Sequence, residues 1–341
     1  MQIINILTLY ILLVLFCVLF NLFFLEYKSY YVRCIENRRK YWLNFFKKCI
    51  KNKNYEFTKR EIQKIKNPLW ATAFLEEYEY RIKLMPKIRK IVLSNKKHFV
   101  RLLSSKKSNE HNAFFSYLIS KLNMKKDKEF IESLALNMFT KTYYGRENAL
   151  KALVSFATED VVTKVFNELS KKEIYHNDKL LKQHIISFNG NKRELLKKLM
   201  VIYENLIDCY KIAIINSLNE LEYFNFNNKL VKNIDNENNE VKKAIINLIS
   251  KRQTKNTVNK LIDLLNSENI EISKRASQAL SNVNTKEVKN ALIKALEKDN
   301  IELKNAVSKS LIVLNISLGN VTLDNITKDI YEQNYDLLKG E

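Results

Sequence analysis

Catalysis would have to be assembled from few reactive side chains in this 341-residue chain, which holds four histidines, four cysteines and four glycines. A zinc site or a histidine base needs imidazoles at i and i+4 on one helical face, as in HExxH, or a carboxylate partner. His98, His111, His176 and His184 are dispersed, and the last two lie eight residues apart on one expected helix, too far to share an ion unaided. They read as surface or packing residues. Cys17, Cys34, Cys49 and Cys209 form no CxxC pair, so neither a disulfide framework nor a thiolate metal site is indicated. Gly145, Gly190, Gly319 and Gly340 stand alone, outside any GxGxxG, Walker or GxSxG element. The carboxylate pairs Glu76-Glu77 and Glu159-Asp160 are sequence neighbours that read as helix starts or solvated faces. The sequence therefore predicts no enzyme: no catalytic residue, no metal ligand and no cofactor.

Binding is the remaining chemistry, and the position of the charges decides to what. Lys and Arg number 58 against 37 Asp and Glu, a net charge of +21. Taken whole, that excess suits nucleic acid or an anionic membrane. Residues 1–25 carry no charge at all, whereas residues 26–145 hold 28 basic and 11 acidic side chains, a net of +17. From Ile3 to Leu25 run 23 residues, nearly all Leu, Ile, Val, Phe or Tyr. At ~1.5 Å per residue they reach ~34 Å, enough to cross the hydrocarbon core of a bilayer. No basic n-region and no small-residue cleavage site precede or follow, so the segment reads as a retained transmembrane anchor and not as a cleaved leader. Basic residues lie only after it, which places the N-terminus outside and the rest in the cytoplasm of a single-pass cell-membrane protein. Lys28, Arg33, Arg38, Arg39, Lys40, Trp42, Lys47 and Lys48 are the expected contacts with an anionic inner leaflet.

Beyond the anchor the apolar spacing is helical. In residues 69–92, Leu69, Ala73, Phe74, Tyr78, Ile82, Met85, Ile88 and Val92 recur at helical intervals, with Pro86 expected to kink the helix or divide it. Further helices are expected near 36–51, 57–66, 95–105, 110–122 and 127–140. No segment alternates as a strand does, and four Gly and two Pro leave little material for sheet turns.

The C-terminal half repeats. Asn238, Asn269 and Asn300, then Glu240, Glu271 and Glu302, are spaced by 31 residues. The same period links Leu230, Leu261, Leu292 and Leu323, and also Glu237, Glu268 and Asp299. Each unit reads as two short amphipathic helices, Val241–Ser250 with Thr257–Asn266, then Ile272–Asn282 with Lys286–Glu297. The stretch Ile270 to Leu314, with its acidic, aliphatic, basic, Ala and Leu order, resembles the bacterial HEAT-like repeats related to those of phycobilisome lyases. That resemblance implies an all-α, right-handed superhelix of the HEAT/armadillo-like solenoid class, with second helices lining the concave side. It departs from the usual pattern in lacking turn Gly and Pro. The expected organisation is an anchor at 1–25, a basic aromatic juxtamembrane helix at 26–56, a generic helical part or degenerate repeats at 57–145, repeats at 146–319 and a capping helix at 320–341.

A membrane-anchored scaffold for protein interaction follows as the functional expectation, an accessory to a membrane-associated machine. Its unidentified partner would belong to a class such as membrane glycosyltransferases or export components. Lys229, Lys232, Lys255, Lys260, Lys286, Lys289 and Lys294, on the second helices, are the expected contact residues. The alternative is a nucleic-acid-binding solenoid resembling the HEAT-like DNA glycosylases, using Arg38, Arg39, Lys40, Tyr41 and Trp42 to neutralise phosphates and stack on bases. The basic excess peaks beside the anchor and fades in the repeats, so a bilayer accounts for it more simply than nucleic acid.

Overall fold

The structure, a computed structural model, describes residues 2–51, 58, 60, 78–103, 116, 118, 119, 122, 142–316 and 324–339. The helices expected over 57–66 and 127–140 lie outside these residues apart from positions 58 and 60, as does most of 110–122. Secondary structure among the described residues is helical throughout. The chain forms two units, Met1–Phe156 and Ala157–Glu341.

In the first unit, α1 (Gln2–Lys51) is one unbroken helix in which the apolar block and the basic block share an axis. Nothing in its sequence interrupts the ladder, since it contains neither Pro nor Gly. Helix α2 (Tyr78–Ser94) runs through Pro86 undivided and packs on α1, and a turn at Asn95 leads to α3 (Lys96–Leu103). Ile88, Ile91 and Val92 give α2 a buried stripe at intervals of one, three and four. Arg89 Nε, on the same helix, donates to the Leu122 carbonyl at 2.6 Å. Helix α4 (Tyr143–Phe156) buries Ala149, Leu150, Ala152, Leu153 and Val154.

The second unit is built from α5 (Glu159–Lys171), α6 (Asp178–Ile186), α7 (Lys192–Ile202), α8 (Asp208–Glu220), α9 (Asn227–Asn233), α10 (Asn239–Lys251), α11 (Lys255–Leu264), α12 (Ile270–Leu280), α13 (Lys286–Ala295), α14 (Ile301–Val313) and α15 (Asn325–Lys339). Contacts divide them into two rows. Helices α6, α8, α10, α12 and α14 stack in succession, with α15 closing on α14. Alongside, α5 meets α7, while α9, α11 and α13 stack in turn. Stacking of alternate helices is what a solenoid requires, because one pair cannot bury its apolar face alone.

The repeat columns have a local cause. Asn238, Asn269 and Asn300 are the N-caps of α10, α12 and α14, each accepting from backbone N–H groups of the first turn at 2.9–3.2 Å. Glu240, Glu271 and Glu302 sit in those same first turns, where a carboxylate complements the helix dipole. Thr254 and Thr285, also 31 apart, cap the second helices α11 and α13. The scarcity of turn glycine is met by other residues. Glu173, Glu222 and Asn315 follow α5, α8 and α14 with φ of 52°, 51° and 56°. Around each, paired six-to-one and five-to-two hydrogen bonds close the helix end, as Tyr223 N to Leu218 O and Glu222 N to Asn219 O do after α8.

Polar rungs join successive first helices. Ser277 and Ser310 hydroxyls lie 2.9 Å apart, Lys274 Nζ is 2.9 Å from Glu302, and Asn238 donates to Asp208. The most shielded ion pair among the described residues joins Lys211 of α8 to Glu237 before α10 at 2.8 Å, with side chains 14% and 7% exposed. Lys211 Nζ also lies 5.3 Å from the Tyr203 ring centre. At the far end Lys304, buried in α14, reaches Asp324 Oδ2 and Thr327 Oγ1, both at 2.8 Å. These contacts tie α15 to the stack as a cap.

Candidate interaction surface

First and second helices differ in how much surface they leave. Helix α10 buries Val241, Ala244, Ile245, Ile246, Leu248 and Ile249, a face wide enough for neighbours on two sides. Helices α11 and α13 each bury one stripe, Thr257, Leu261 and Leu264 in one and Val288, Leu292 and Ala295 in the other. Their other positions are exposed or half-buried.

The expected lysines lie on this row: Lys229 and Lys232 on α9, Lys255 and Lys260 on α11, Lys286, Lys289 and Lys294 on α13. Two of them are already engaged, Lys229 with the Met200 carbonyl at 2.9 Å and Lys260 with Asp235 at 2.5 Å. Lys232, Lys255, Lys286 and Lys294 are exposed, and Lys289 is half-buried. Lys298, outside that set, donates to the Leu265 carbonyl at 2.6 Å, and burial pulls its ammonium below the usual lysine range.

An open cleft of about 570 Å³ lies between the start of α11 and the turn that leads into α13. Its lining includes the carboxamides and hydroxyl of Gln253, Asn259, Asn282, Asn284 and Thr285, together with Val258, Val283, Lys255 and Glu287. Glu287 is held below the ordinary carboxylate range, first by its own backbone N–H and then by the Thr285 hydroxyl. Asn228, Asn259 and Asn290, not among the expected contacts, form one more column at the 31-residue period, legible in the sequence as two Asn-Lys-Leu steps and one Asn-Ala-Leu step.

In the first unit the side chains of α1 described between Tyr10 and Tyr27 are exposed, Phe16 at 69% and Phe23 at 70%. A soluble core helix would be covered, so that reading does not account for α1. Among the described residues it is the one helix long and apolar enough to cross a membrane. Lys28, Arg33, Arg38, Arg39, Lys40, Lys47 and Lys48 are all exposed along it, and Arg33 also donates to Ser29 Oγ at 3.1 Å. Trp42 departs from its expected place on a lipid surface. It is 6% exposed, edge-on to Tyr41 at 5.5 Å and to Phe45 at 5.4 Å, because this part of α1 contributes to the core of the first unit. One continuous helix also separates the basic residues from the apolar block. Measured from Leu25 along the axis, Lys28 is ~5 Å away and Arg33 ~12 Å, but Arg38 is ~20 Å and Lys47 ~33 Å.

His176 and His184 are buried, and His176 packs edge-on against Tyr210 with ring centres 6.1 Å apart. Cys209 is half-buried, and that burial pushes its thiol upward, away from a reactive thiolate. No group of three His, Cys, Asp or Glu able to hold a metal occurs among the described residues.

Paired helices, alternate stacking and a 31-residue period give the second unit the architecture of an α-solenoid. Residues 227–312 match the family model for HEAT repeats, in the region where the periodic columns are densest. Among solved structures the chain is similar to YibA of Escherichia coli at 16% identity, over 76% of this chain and 97% of that one, with a TM-score of 0.35. It is also similar to an engineered protein at 16% identity, over 72% of this chain and 97% of that one, with a TM-score of 0.21. No curated protein matches it.

Proposed function

We propose that this protein is a membrane-anchored HEAT-repeat scaffold without chemistry of its own, presenting the second-helix row α9, α11 and α13 to a protein partner. The observation that carries the reading is the pairing of an uncovered apolar helix, α1, with a repeat stack whose second helices bury only one stripe each. In this reading residues 1–25 span the cell membrane with the N-terminus outside, and the repeats face the cytoplasm as an accessory to a membrane machine. Lys28 falls within the interfacial layer, which adds about 5–8 Å to each side of the hydrocarbon core, and Arg33 stands about 4–7 Å beyond it, still within a Debye length of the headgroups. Arg38, Arg39, Lys40, Lys47 and Lys48 stand farther off along α1, beyond the Debye length of about 8 Å at physiological salt.

Alkaline extraction of membranes tests the anchor, and protease digestion of inverted and right-side-out vesicles tests its orientation. The expected result is full-length protein in the washed pellet, with the repeats cut only in inverted vesicles. Release into the supernatant, or cleavage of the repeats in right-side-out vesicles, would overturn the reading.

A further inference from the structure

We infer that α15 is an exchangeable plug on the end of the repeat stack: it opens from α14 as a unit, and the seat it leaves is taken by the α15 of a second copy. This goes beyond the anchored-scaffold reading and rests on the second unit alone. The last junction differs in kind from those before it. Helix α10, inside the stack, buries Val241, Ile245, Ile246, Leu248 and Ile249. On α15 the buried side chains among those described are Thr327 and Asn334, both polar. Ile330 and Tyr331 are half-buried, while Ile326 and Leu337 are 59% and 68% exposed. Contacts across the junction are accordingly polar. Lys304 of α14 reaches Asp324 and Thr327, Asn334 Nδ2 donates to Asn305 Oδ1 at 2.8 Å, and the Tyr331 hydroxyl donates to the Ile316 carbonyl at 2.5 Å. Ser308, one turn beyond Lys304 on the same face of α14, is fully buried, and its hydroxyl has no hydrogen-bond partner among the described residues.

Such a junction opens at low cost. Burial of apolar surface is what drives one helix onto another, whereas a hydrogen bond made within a protein replaces bonds to water and contributes little net. The main contacts of α15 are with α14, so its release leaves the repeats their own neighbours. The seat then sets what can replace it. Lys304 is 6% exposed beneath α15, and a helix laid over it without an anion would strand a desolvated ammonium group. Asp324 supplies that anion and also caps α15, its Oδ1 accepting from Thr327 N at 2.7 Å and its Oδ2 from Thr327 Oγ1 at 2.9 Å. One carboxylate thus starts the helix and latches it. The seat selects a helix that begins with Asp and carries Thr three residues on. A second copy of this chain presents that helix with every contact unchanged, which is the condition for exchanging a terminal element between protomers.

The test is hydrogen exchange by mass spectrometry on the full chain in lipid nanodiscs, followed by capture of a labelled peptide of residues 324–339. Amides of α15 should exchange faster than those of α14 by on the order of 10-fold or more, since α15 opens alone. Asp324→Asn keeps a capping side chain and removes the charge, so it should speed α15 further by on the order of 10-fold and leave α14 unchanged. Ile326→Ala with Leu337→Ala should change neither helix, because these side chains are already in solvent. In fluorescence anisotropy the peptide should bind saturably, and more tightly to the Asp324→Asn chain, whose seat is open more of the time. A peptide that itself carries Asp324→Asn should bind more weakly by on the order of 10-fold. Exchange of α15 and α14 at one rate, or acceleration by the apolar pair equal to that of Asp324→Asn, would overturn the plug. So would a peptide that does not bind, or that binds as well without its carboxylate. None of these results bears on the vesicle experiment, so failure here is distinguishable from failure of the anchored-scaffold reading.

Discussion

Glu237→Gln probes the mechanism by which repeats are locked together. Glu237 precedes α10 and receives Lys211 of α8 at 2.8 Å, with the carboxylate side chain 7% exposed and the ammonium side chain 14%. The substitution keeps shape and removes charge, leaving the lysine desolvated without its counter-ion. Breaking a buried pair on one side costs about 3–5 kcal/mol. The lower end applies because Lys211 retains some solvent and the Tyr203 ring face at 5.3 Å. We expect about 3 kcal/mol. With a urea slope of about 2–3 kcal/mol/M, the midpoint of far-ultraviolet circular dichroism should fall by about 1 M. The double variant Lys211→Met with Glu237→Leu should return to within about 1 kcal/mol of wild type, since well-packed apolar residues can replace a buried pair. Amide exchange should accelerate first in α8 and α10, because a solenoid transmits a defect chiefly to adjoining repeats. A shift of Glu237→Gln below ~0.3 M, or a double variant as unstable as the single, would show that this pair is not a buried lock and refute the argument.

Three other perturbations follow from the local geometry. Asn269→Ala should cost about 1 kcal/mol in urea unfolding while Asn269→Asp remains near wild type, because Asn269 Oδ1 accepts from Glu271 N at 3.0 Å and Ile272 N at 3.2 Å. Glu222→Gly should stabilise by about 0.5–1 kcal/mol, since its φ of 51° strains any residue with a Cβ; an unchanged midpoint would mean the strain is absent. The C-terminal cap should loosen in acid. Hydrogen bonding from Lys304, then from the Thr327 backbone, lowers Asp324 from 3.8 to about 2, so its stabilising effect is present above the unfolded value and lost as pH falls through about 2. Pepsin cleavage of α15 should therefore rise as pH drops through that interval, and Asp324→Asn should be cleaved readily throughout it.

Different physical origins explain what could be read in advance. The 31-residue columns were legible because capping and burial are local demands. An asparagine begins α10, α12 and α14, and a leucine fills the buried stripe of α9, α11 and α13, so Asn238, Asn269 and Asn300 and Leu230, Leu261 and Leu292 recur together. Helix ends were harder to read because glycine is only the commonest solution. Glu173, Glu222 and Asn315 take the left-handed position, and a search for glycine passes over them. The inter-repeat locks were less legible still. Lys211 and Glu237 are 26 residues apart, a separation fixed by stacking and not by the period itself. Among the expected contact lysines, composition could not tell Lys229 and Lys260, already spent on Met200 and Asp235, from the unengaged Lys255 and Lys286.

The basic segment after the anchor illustrates why a charge count underdetermines a surface. Read along the sequence, the residues from Lys28 to Lys48 form one cluster. On an α-helix that does not break before Lys51 they become a column ~30 Å long, and only its base lies near the end of the apolar block. The burial of Trp42 and Phe45 beside the upper charges ties that part of α1 to the first unit's own core. Attraction to a flat anionic surface declines over about 8 Å at physiological salt, whereas a helix gains that distance in five or six residues. If the anchored reading holds, Lys28→Glu with Arg33→Glu should weaken binding of this protein's juxtamembrane helix to anionic headgroups more than Lys47→Glu with Lys48→Glu. Vesicles of matched anionic lipid content, compared by salt-dependent quenching of a probe at position 30, measure this. Equal effects from the two pairs would mean that the helix lies along the surface and does not rise from it.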